Sequence, residues 1–368
     1  LVQVSNLVGC FLDRKKIDML KVAILYQSKL PPEIDGVVKP MKKGGYSDSG
    51  ADIAIALLKN GIQLITPVHT PKIKNDYDWV FPDSEEGIKN AVNKGANLFW
   101  LNTVLYAKHP ILKFKGQHLL IVGQDPEIVE IYDDKFYTNT FLKEKGLPIP
   151  LSYLLLSDEP TKQNIKFPVV IKPVRGRGSQ GVQVINNKND LERSITKLIA
   201  SKKYGNRFII EEYLPGKEIT ITVMPPGLYI INDNPVQKRD HWALPAVERF
   251  NHIDGIAPYN GIVAVINNSK IISDAALNSK EIKEISQKCE LAANIINAKA
   301  PIRIDCRKHK NNQYQIFDLN LKPNMTGASR KHRNDQDSLT MIAAKGIGWD
   351  YNMLILNTLS QHWKLTTT

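Results

Sequence analysis

The chain has 368 residues, 42% of them hydrophobic, and a formal net charge of +12, so it can bury substantial cores in two or three domains. No apolar run approaches transmembrane length, and Cys10, Cys289 and Cys306 are too few and too scattered for a disulfide framework or a zinc site, which points to a reducing compartment and the cytoplasm. The basic excess could meet a polyanionic substrate, but the lysines are spread along the chain with no basic run interleaved with aromatics, so neither nucleic acid nor a membrane is expected as a partner.

In chain order, "LVQVSNLVGCFLDRKKIDML" places its basic residues after its apolar patch, the reverse of a secretory leader, and residues 1–18 read as an extension ahead of the buried strand "LKVAILYQ". "SDSGADIAIALLKNG" predicts an amphipathic helix capped near Ser47 or Ser49 and closed by Gly61, followed by the strand "IQLITPV". A helix in "SEEGIKNAVNKG" and strands in "ANLFWLN" and "HLLIVG" continue a βαβ rhythm, which implies a parallel sheet with helices on both faces. A helix from about Asp133 to Lys145 then ends at Gly146, and the following prolines force extended chain. Beyond it "SYLLL", "FPVVIKP", "GVQVIN" and "RFIIEEYL" alternate as antiparallel strands do. The last third runs through "KEITITVM", a long polar loop, the apolar run "GIVAVIN", a helix over Lys280 to Asn297 and the strands "IRIDC" and "IFDLN".

The stretch "VVIKPVRGRGSQGVQVI" holds Gly176, Gly178 and Gly181 in the spacing G-x-G-x-x-G. A dinucleotide fingerprint needs a helix after the glycines, whose N-terminus meets the pyrophosphate. Here a second strand follows, so the glycines sit at a hairpin tip, either a flexible lid that closes over phosphates or a plain glycine-rich turn. Lys172 ends the strand that enters the loop, where its amine could reach a covered phosphate. Downstream, "IIEEYLPGKEITI" offers Glu211, Tyr213 and Leu214 and then Glu218; extended backbone suits an adenine edge and a carboxylate suits ribose hydroxyls. Asp318 and Asn320 leave one face of their strand, and with Asp305 they form an oxygen set suited to Mg²⁺. Arg303 shares the face of Asp305; it could neutralise an oxyanion or simply pair with that carboxylate.

The order of these pieces resembles the ATP-grasp superfamily, most closely its D-alanine:D-alanine ligase branch, from about Asp134 to Ser329. The matching segments are Asp134-Lys135, Lys172-Pro173 with Gly176 to Gly181, Glu211-Glu212-Tyr213-Leu214 with Glu218, Arg303-Ile304-Asp305, Asp318-Leu319-Asn320 and Asn324-Met325-Thr326. The resemblance implies an α/β, in part α+β, fold with a first parallel-sheet unit over 1–133, a lid-bearing unit over 134–214 and a metal-binding unit over 215–368 whose mobile loop covers 234–261. It also implies an ATP-dependent carbon–nitrogen ligase working through an acyl phosphate on a small carboxylate and an amine. Lys135, Lys172, Gly178, Ser179 and Gly181 would hold the phosphates, Glu211, Tyr213 and Leu214 the adenine, and Glu218 the ribose. Asp305, Asp318 and Asn320 would bind Mg²⁺, with Mn²⁺ as the alternative ion, and Arg303 would stabilise the oxyanion. Glu248, Arg249 and Ser329 are expected near the substrates, and a homodimer is expected by analogy alone.

Departures fall mostly on the substrate side. Asp318 stands where the relatives mostly carry glutamate, "RFNHIDGIAPYNG" diverges from their loop, and "KKGGYSDSG" replaces their acidic amine-binding segment, which argues against D-alanine. Two other classes remain open on sequence: a phosphotransfer enzyme that needs no amine, and a non-catalytic nucleotide-binding protein.

Overall fold

The computed structural model describes residues 19–156, 164–258, 264–333 and 335–366; residues 1–18, expected to be an extension, lie outside them. The run Val22–Leu25 is apolar and fully buried, as a parallel strand covered on both faces requires. Strand Lys21–Tyr26 pairs in parallel with Gln63–Leu64, Phe81–Pro82 and Leu98–Asn102, and Leu120–Val122 adds beyond the last of these. The strand Trp363–Lys364 closes this sheet antiparallel to Leu120–Val122.

The helix Ser47–Lys59 forms where expected, but neither serine caps it. Its cap is Tyr46 in the left-handed region at φ 70°, whose side chain makes no capping hydrogen bond. The cause lies one residue earlier: Gly45, at φ +57°, sits so close to Gln27 that a Cβ would fall 1.8 Å from its carbonyl oxygen. The chain therefore enters the helix through a turn that only glycine permits. "IQLITPV" narrows to Gln63–Leu64, because Pro67 has no N–H to extend the ladder. Helix Pro126–Tyr132, absent from the sequence expectations, starts with Asp125 as cap and proline in its first turn. Helix Lys135–Glu144 follows with Asp134 as its cap.

The second sheet is antiparallel in the order Ser152–Leu156, Arg207–Glu212, Val169–Pro173, Gln183–Ile185. The glycine segment is a hairpin tip, as expected, since Val169 faces Ile185 and Ile171 faces Gln183 across it. Helix Lys188–Ala200, also unforeseen, covers the sheet with Leu191 and Leu198.

The third sheet has Glu218–Met224 at its centre, flanked by Val247–Arg249 and Ile302–Lys308, with Ser269–Ile271 and Tyr314–Asn320 outside these and Trp242–Ala243 pairing alongside. The segment read as a polar, mobile loop contains the strands Asn234–Lys238, Trp242–Ala243 and Val247–Arg249. Gly227–Ile231 and Asn234–Lys238 form a hairpin through Asn232 and Asp233, both at positive φ. Buried Tyr229 anchors this hairpin, its ring centroid 5.0 Å from Trp242 and 6.2 Å from Trp349. The first and third sheets share continuous apolar packing, while the second keeps a core of its own around Ile171, Phe208 and Ile210.

Candidate active site

Between the second and third sheets lies a cavity of about 560 Å³, roofed by Gly176 to Gln180 and reached from below by Lys135, Lys172, Glu211, Tyr213, Leu214, Glu218, Arg303, Asp305, Asp318 and Asn320. In the roof Gly178 and Ser179 are both left-handed, at φ 59° and 56°. Val182 N donates to Ser179 O at 3.2 Å, which closes the turn.

The floor rises from the first half of strand Ile302–Lys308 and the last residues of strand Tyr314–Asn320. Asp305 lies directly across from Asp318, and Arg303 across from Asn320, with a register shift just after Asp305. Each carboxylate has a cation: Arg303 meets both oxygens of Asp305 at 3.1 Å, and Lys135, at the start of its helix, donates to Asp318. Burial works against ionisation of Asp318, but Lys135, Lys172 and Arg303 outweigh it and hold its carboxyl below the usual range. Asn320 accepts from the Lys322 backbone N–H at 3.0 Å.

Behind the floor, Lys172 donates to Glu211 Oε1 at 2.9 Å and Oε2 at 3.0 Å, and to the Phe317 carbonyl at 2.9 Å. Burial pushes the Glu211 carboxyl up, and the lysine pulls it part of the way back. Asn139 adds a donor to Glu211 at 3.3 Å. Glu218 meets His252 Nε2 at 2.9 Å and lies 3.8 Å from Arg307. Arg307 also donates to Gly255 O at 2.6 Å and to the Tyr213 hydroxyl at 3.2 Å, with its guanidinium 5.1 Å from that ring. It thereby pins the turn around Gly255 to the wall where the adenine was expected.

Two expected substrate contacts fall elsewhere. Glu248 does not line the cavity; it sits 3.9 Å from Lys217 and 3.8 Å from Lys270, because neighbouring Arg249 takes the inward position on the same strand. Ser329 donates to Asp52 Oδ1 at 2.9 Å in a buried cluster with Arg330 and Arg333, away from the lining. Arg249 does line the cavity; it donates to Pro258 O at 3.1 Å and its buried Nε has no partner among the described residues.

Other lining residues were missed. Arg307 was legible, since Arg303, Asp305 and Arg307 alternate along one strand. Lys39, Lys42, Tyr46, Arg177 and Lys322 were not, because they come from three distant segments. Burial holds the Lys39 ammonium down to about 8 although it pairs with Asp133.

A glycine-tipped hairpin from one antiparallel sheet, closed over the acidic strand ends of another, is the ATP-grasp arrangement. Residues 155–359, more than half of the chain, match the family described as D-ala D-ala ligase C-terminus, and the chain belongs to that family. It is 29% identical over 199 residues to the D-alanine--D-alanine ligase of Buchnera aphidicola subsp. Schizaphis graminum, an alignment covering 53% of this chain and 54% of that protein. Against the D-alanine--D-alanine ligase of Pelagibacter ubique it is 24% identical, over 77% of this chain and 84% of the relative. The crystal structure of D-alanine--D-alanine ligase from Bacillus anthracis complexed with ATP superposes with a TM-score of 0.62 at 16% identity, covering 93% of this chain and 97% of that one. At that identity the likeness concerns the fold.

Proposed function

We propose that this chain is an ATP-dependent carboxylate–amine ligase acting on small, amino-acid-like substrates in the cytoplasm. The observation that carries this reading is the meeting of Lys135, Lys172 and Arg303 with Asp305 and Asp318 beneath a glycine lid, in one cavity, in a chain of this family. A carboxylate oxygen is a poor leaving group, so it is first phosphorylated: its oxygen takes the γ-phosphoryl group and ADP departs. The amine nitrogen then attacks the acyl carbon, the carbon–oxygen bond to phosphate breaks, and the nitrogen loses a proton.

The chain's own residues divide this work. Lys135 and Lys172 exchange their present carboxylate partners for phosphate oxygens, while Gly178, Ser179 and Gly181 bring backbone over the triphosphate and shed water. Tyr213 and Leu214 form the adenine wall, Glu218 faces the ribose, and Arg303 stabilises charge on the attacked carbonyl oxygen. Among the described residues no three His, Cys, Asp or Glu converge as a self-sufficient metal cage; two facing carboxylates and an amide fit Mg²⁺, which completes its shell with phosphate and water. Asp305, Asp318 and Asn320 would hold such ions, whose chemistry is charge neutralisation on the transferred phosphoryl group. In this reading the chain divides near 133/134 and 214/215, with the strand Trp363–Lys364 returning to the first unit, and self-association remains an expectation to be measured in solution.

The test is ADP release from acid–amine pairs, with products identified by mass. Release should require both substrates, and Asp305→Asn or Lys172→Ala should lower kcat by roughly 10²-fold or more. Undiminished turnover in those variants, or a phosphorylated acid accumulating as the stable product without an amine, would contradict it.

A further inference from the structure

Most of the cations beneath the lid are matched. Lys135 has Asp318, Lys172 has Glu211, Arg303 has Asp305 and Arg307 has Glu218 nearby. Toward the first sheet the balance changes. The Lys322 ammonium lies 3.6 Å from the Tyr46 ring centroid, with no carboxylate or carbonyl accepting from it among the described residues. Arg177, from the lid tip, donates to the Tyr46 hydroxyl at 2.9 Å and has no carboxylate partner there either. Lys42 does have one, Asp48 at 3.0 Å, but that carboxylate is shared with Arg333 at 3.1 Å. Four cations, Lys39, Lys42, Arg177 and Lys322, line this end of the cavity; Lys39 is held by Asp133 and Lys42 by a carboxylate divided with Arg333 outside it, which leaves Arg177 and Lys322 unmatched among the described residues.

Gathering like charges at a partly desolvated wall is costly unless an anion completes the set. The fold goes to some trouble to gather these: Gly45 sits against Gln27 where no side chain fits, which presents Tyr46 to the lid. The tyrosine hydroxyl accepts from Arg177 and keeps its own hydrogen to donate. Together the three groups form a cationic face, an aromatic floor and one neutral donor.

We infer that the acid substrate carries a second anionic group, a carboxylate or a phosphate, seated on Lys322, Arg177 and the Tyr46 hydroxyl. The inference rests on the ligase reading for the identity of the first, activated carboxylate. An amino acid with a single carboxylate spends that group at the reacting centre and leaves Arg177 and Lys322 without a counter-charge. A dianionic acid leaves its second charge where those cations converge. The cavity of about 560 Å³ also has to hold the nucleotide, so the acid is a small molecule.

Equilibrium binding to the full chain, with ADP and Mg²⁺ present, separates the possibilities without turnover. Calorimetric titration would compare glutamate with glutamine, aspartate with asparagine, and O-phosphoserine with serine. At least one dianionic acid should bind about tenfold or more tightly than its neutral isostere, as charge-assisted hydrogen bonds allow. The glutamate, aspartate and phosphoserine arms tell carboxylate from phosphate. Lys322→Met and Tyr46→Phe should each shrink the preference while leaving ADP affinity unchanged; if Lys322→Met does not fold, Lys322→Arg should retain the preference and Tyr46→Phe should still reduce it. Equal binding within every pair, or no binding by any dianionic acid, overturns the inference. So does a matching loss of ADP affinity in Lys322→Met, which would assign the lysine to the nucleotide. Absence of amine-dependent ADP release with the preference intact would sink the ligase reading alone.

Discussion

Lys172 and Glu211 are 5% and 3% exposed, and the ammonium touches both carboxylate oxygens. Removing one partner strands the other as a buried charge, so Lys172→Ala should lose about 3–5 kcal/mol of unfolding free energy. Adding Glu211→Gln should recover much of that loss in denaturant titration, since the pair owes little of its worth to attraction alone; a double variant no more stable than the single one would show the lysine stabilising by other contacts. Lys172 and Glu211, like Arg303, Asp305, Asp318 and Asn320, were legible because each sits at a fixed offset within a short strand motif. Glu248 and Ser329 were placed from chain order, which does not say which face of a strand turns inward. Tyr46, Arg177 and Lys322 carried no local signal, because their meaning arises only when residues more than a hundred positions apart are brought together.

At the level of elements, the first sheet is fastened at one end by Asp83. Its carboxylate accepts from Ser28 N at 2.9 Å and Ser28 Oγ at 2.8 Å, bonds Thr103 Oγ1, and lies 3.7 Å from His109 Nε2. Burial opposes its ionisation, but these neighbours more than offset that and hold the carboxyl below its ordinary value of 3.8. A carboxyl whose folded pKa is depressed contributes stability above the unfolded value and loses it as pH falls through the folded one. Asp83→Asn should therefore cost about 1–3 kcal/mol at neutral pH, and the gap from the parent should close as acid titration passes below the normal aspartate range. A gap that stays constant with pH would mean that shape, not charge, fastens the loops. Elsewhere the strongly periodic strands and the capped helices were readable. The hairpin Gly227–Ile231 with Asn234–Lys238 was not, because its outer strand is polar and only the Asn232-Asp233 turn, at φ 50° and 60°, marks it. The helix Ser47–Lys59 was found but its start misjudged, since the contact between Gly45 and Gln27 overrides the usual preference for a serine cap.

Across the whole molecule, apolar packing is continuous between the first and third sheets and separate in the second. The glycine hairpin therefore belongs to the sheet with its own core, and Lys172 at its base bonds the Phe317 carbonyl of the floor strand at 2.9 Å. The last strand ties the chain together: Leu365 is 2% exposed and donates its N–H to Leu119 O at 2.9 Å, and Trp363 Nε1 donates to Gly123 O at 2.8 Å. Deleting residues 361–368 should lower stability by about 2–4 kcal/mol while the second sheet's core stays intact by hydrogen exchange; protection lost equally in all three sheets would show one cooperative unit.

In the proposed function the cavity beneath the glycine hairpin holds a triphosphate against the facing carboxylates Asp305 and Asp318. A crystal structure with a non-hydrolysable ATP analogue and Mg²⁺ tests it most directly. The phosphates should lie between Gly178–Ser179 and the tips of Asp305, Asp318 and Asn320, with Lys135 drawn off Asp318 onto phosphate oxygen. Nucleotide bound elsewhere, or Lys135 still on Asp318 with those tips turned from the phosphates, would contradict it.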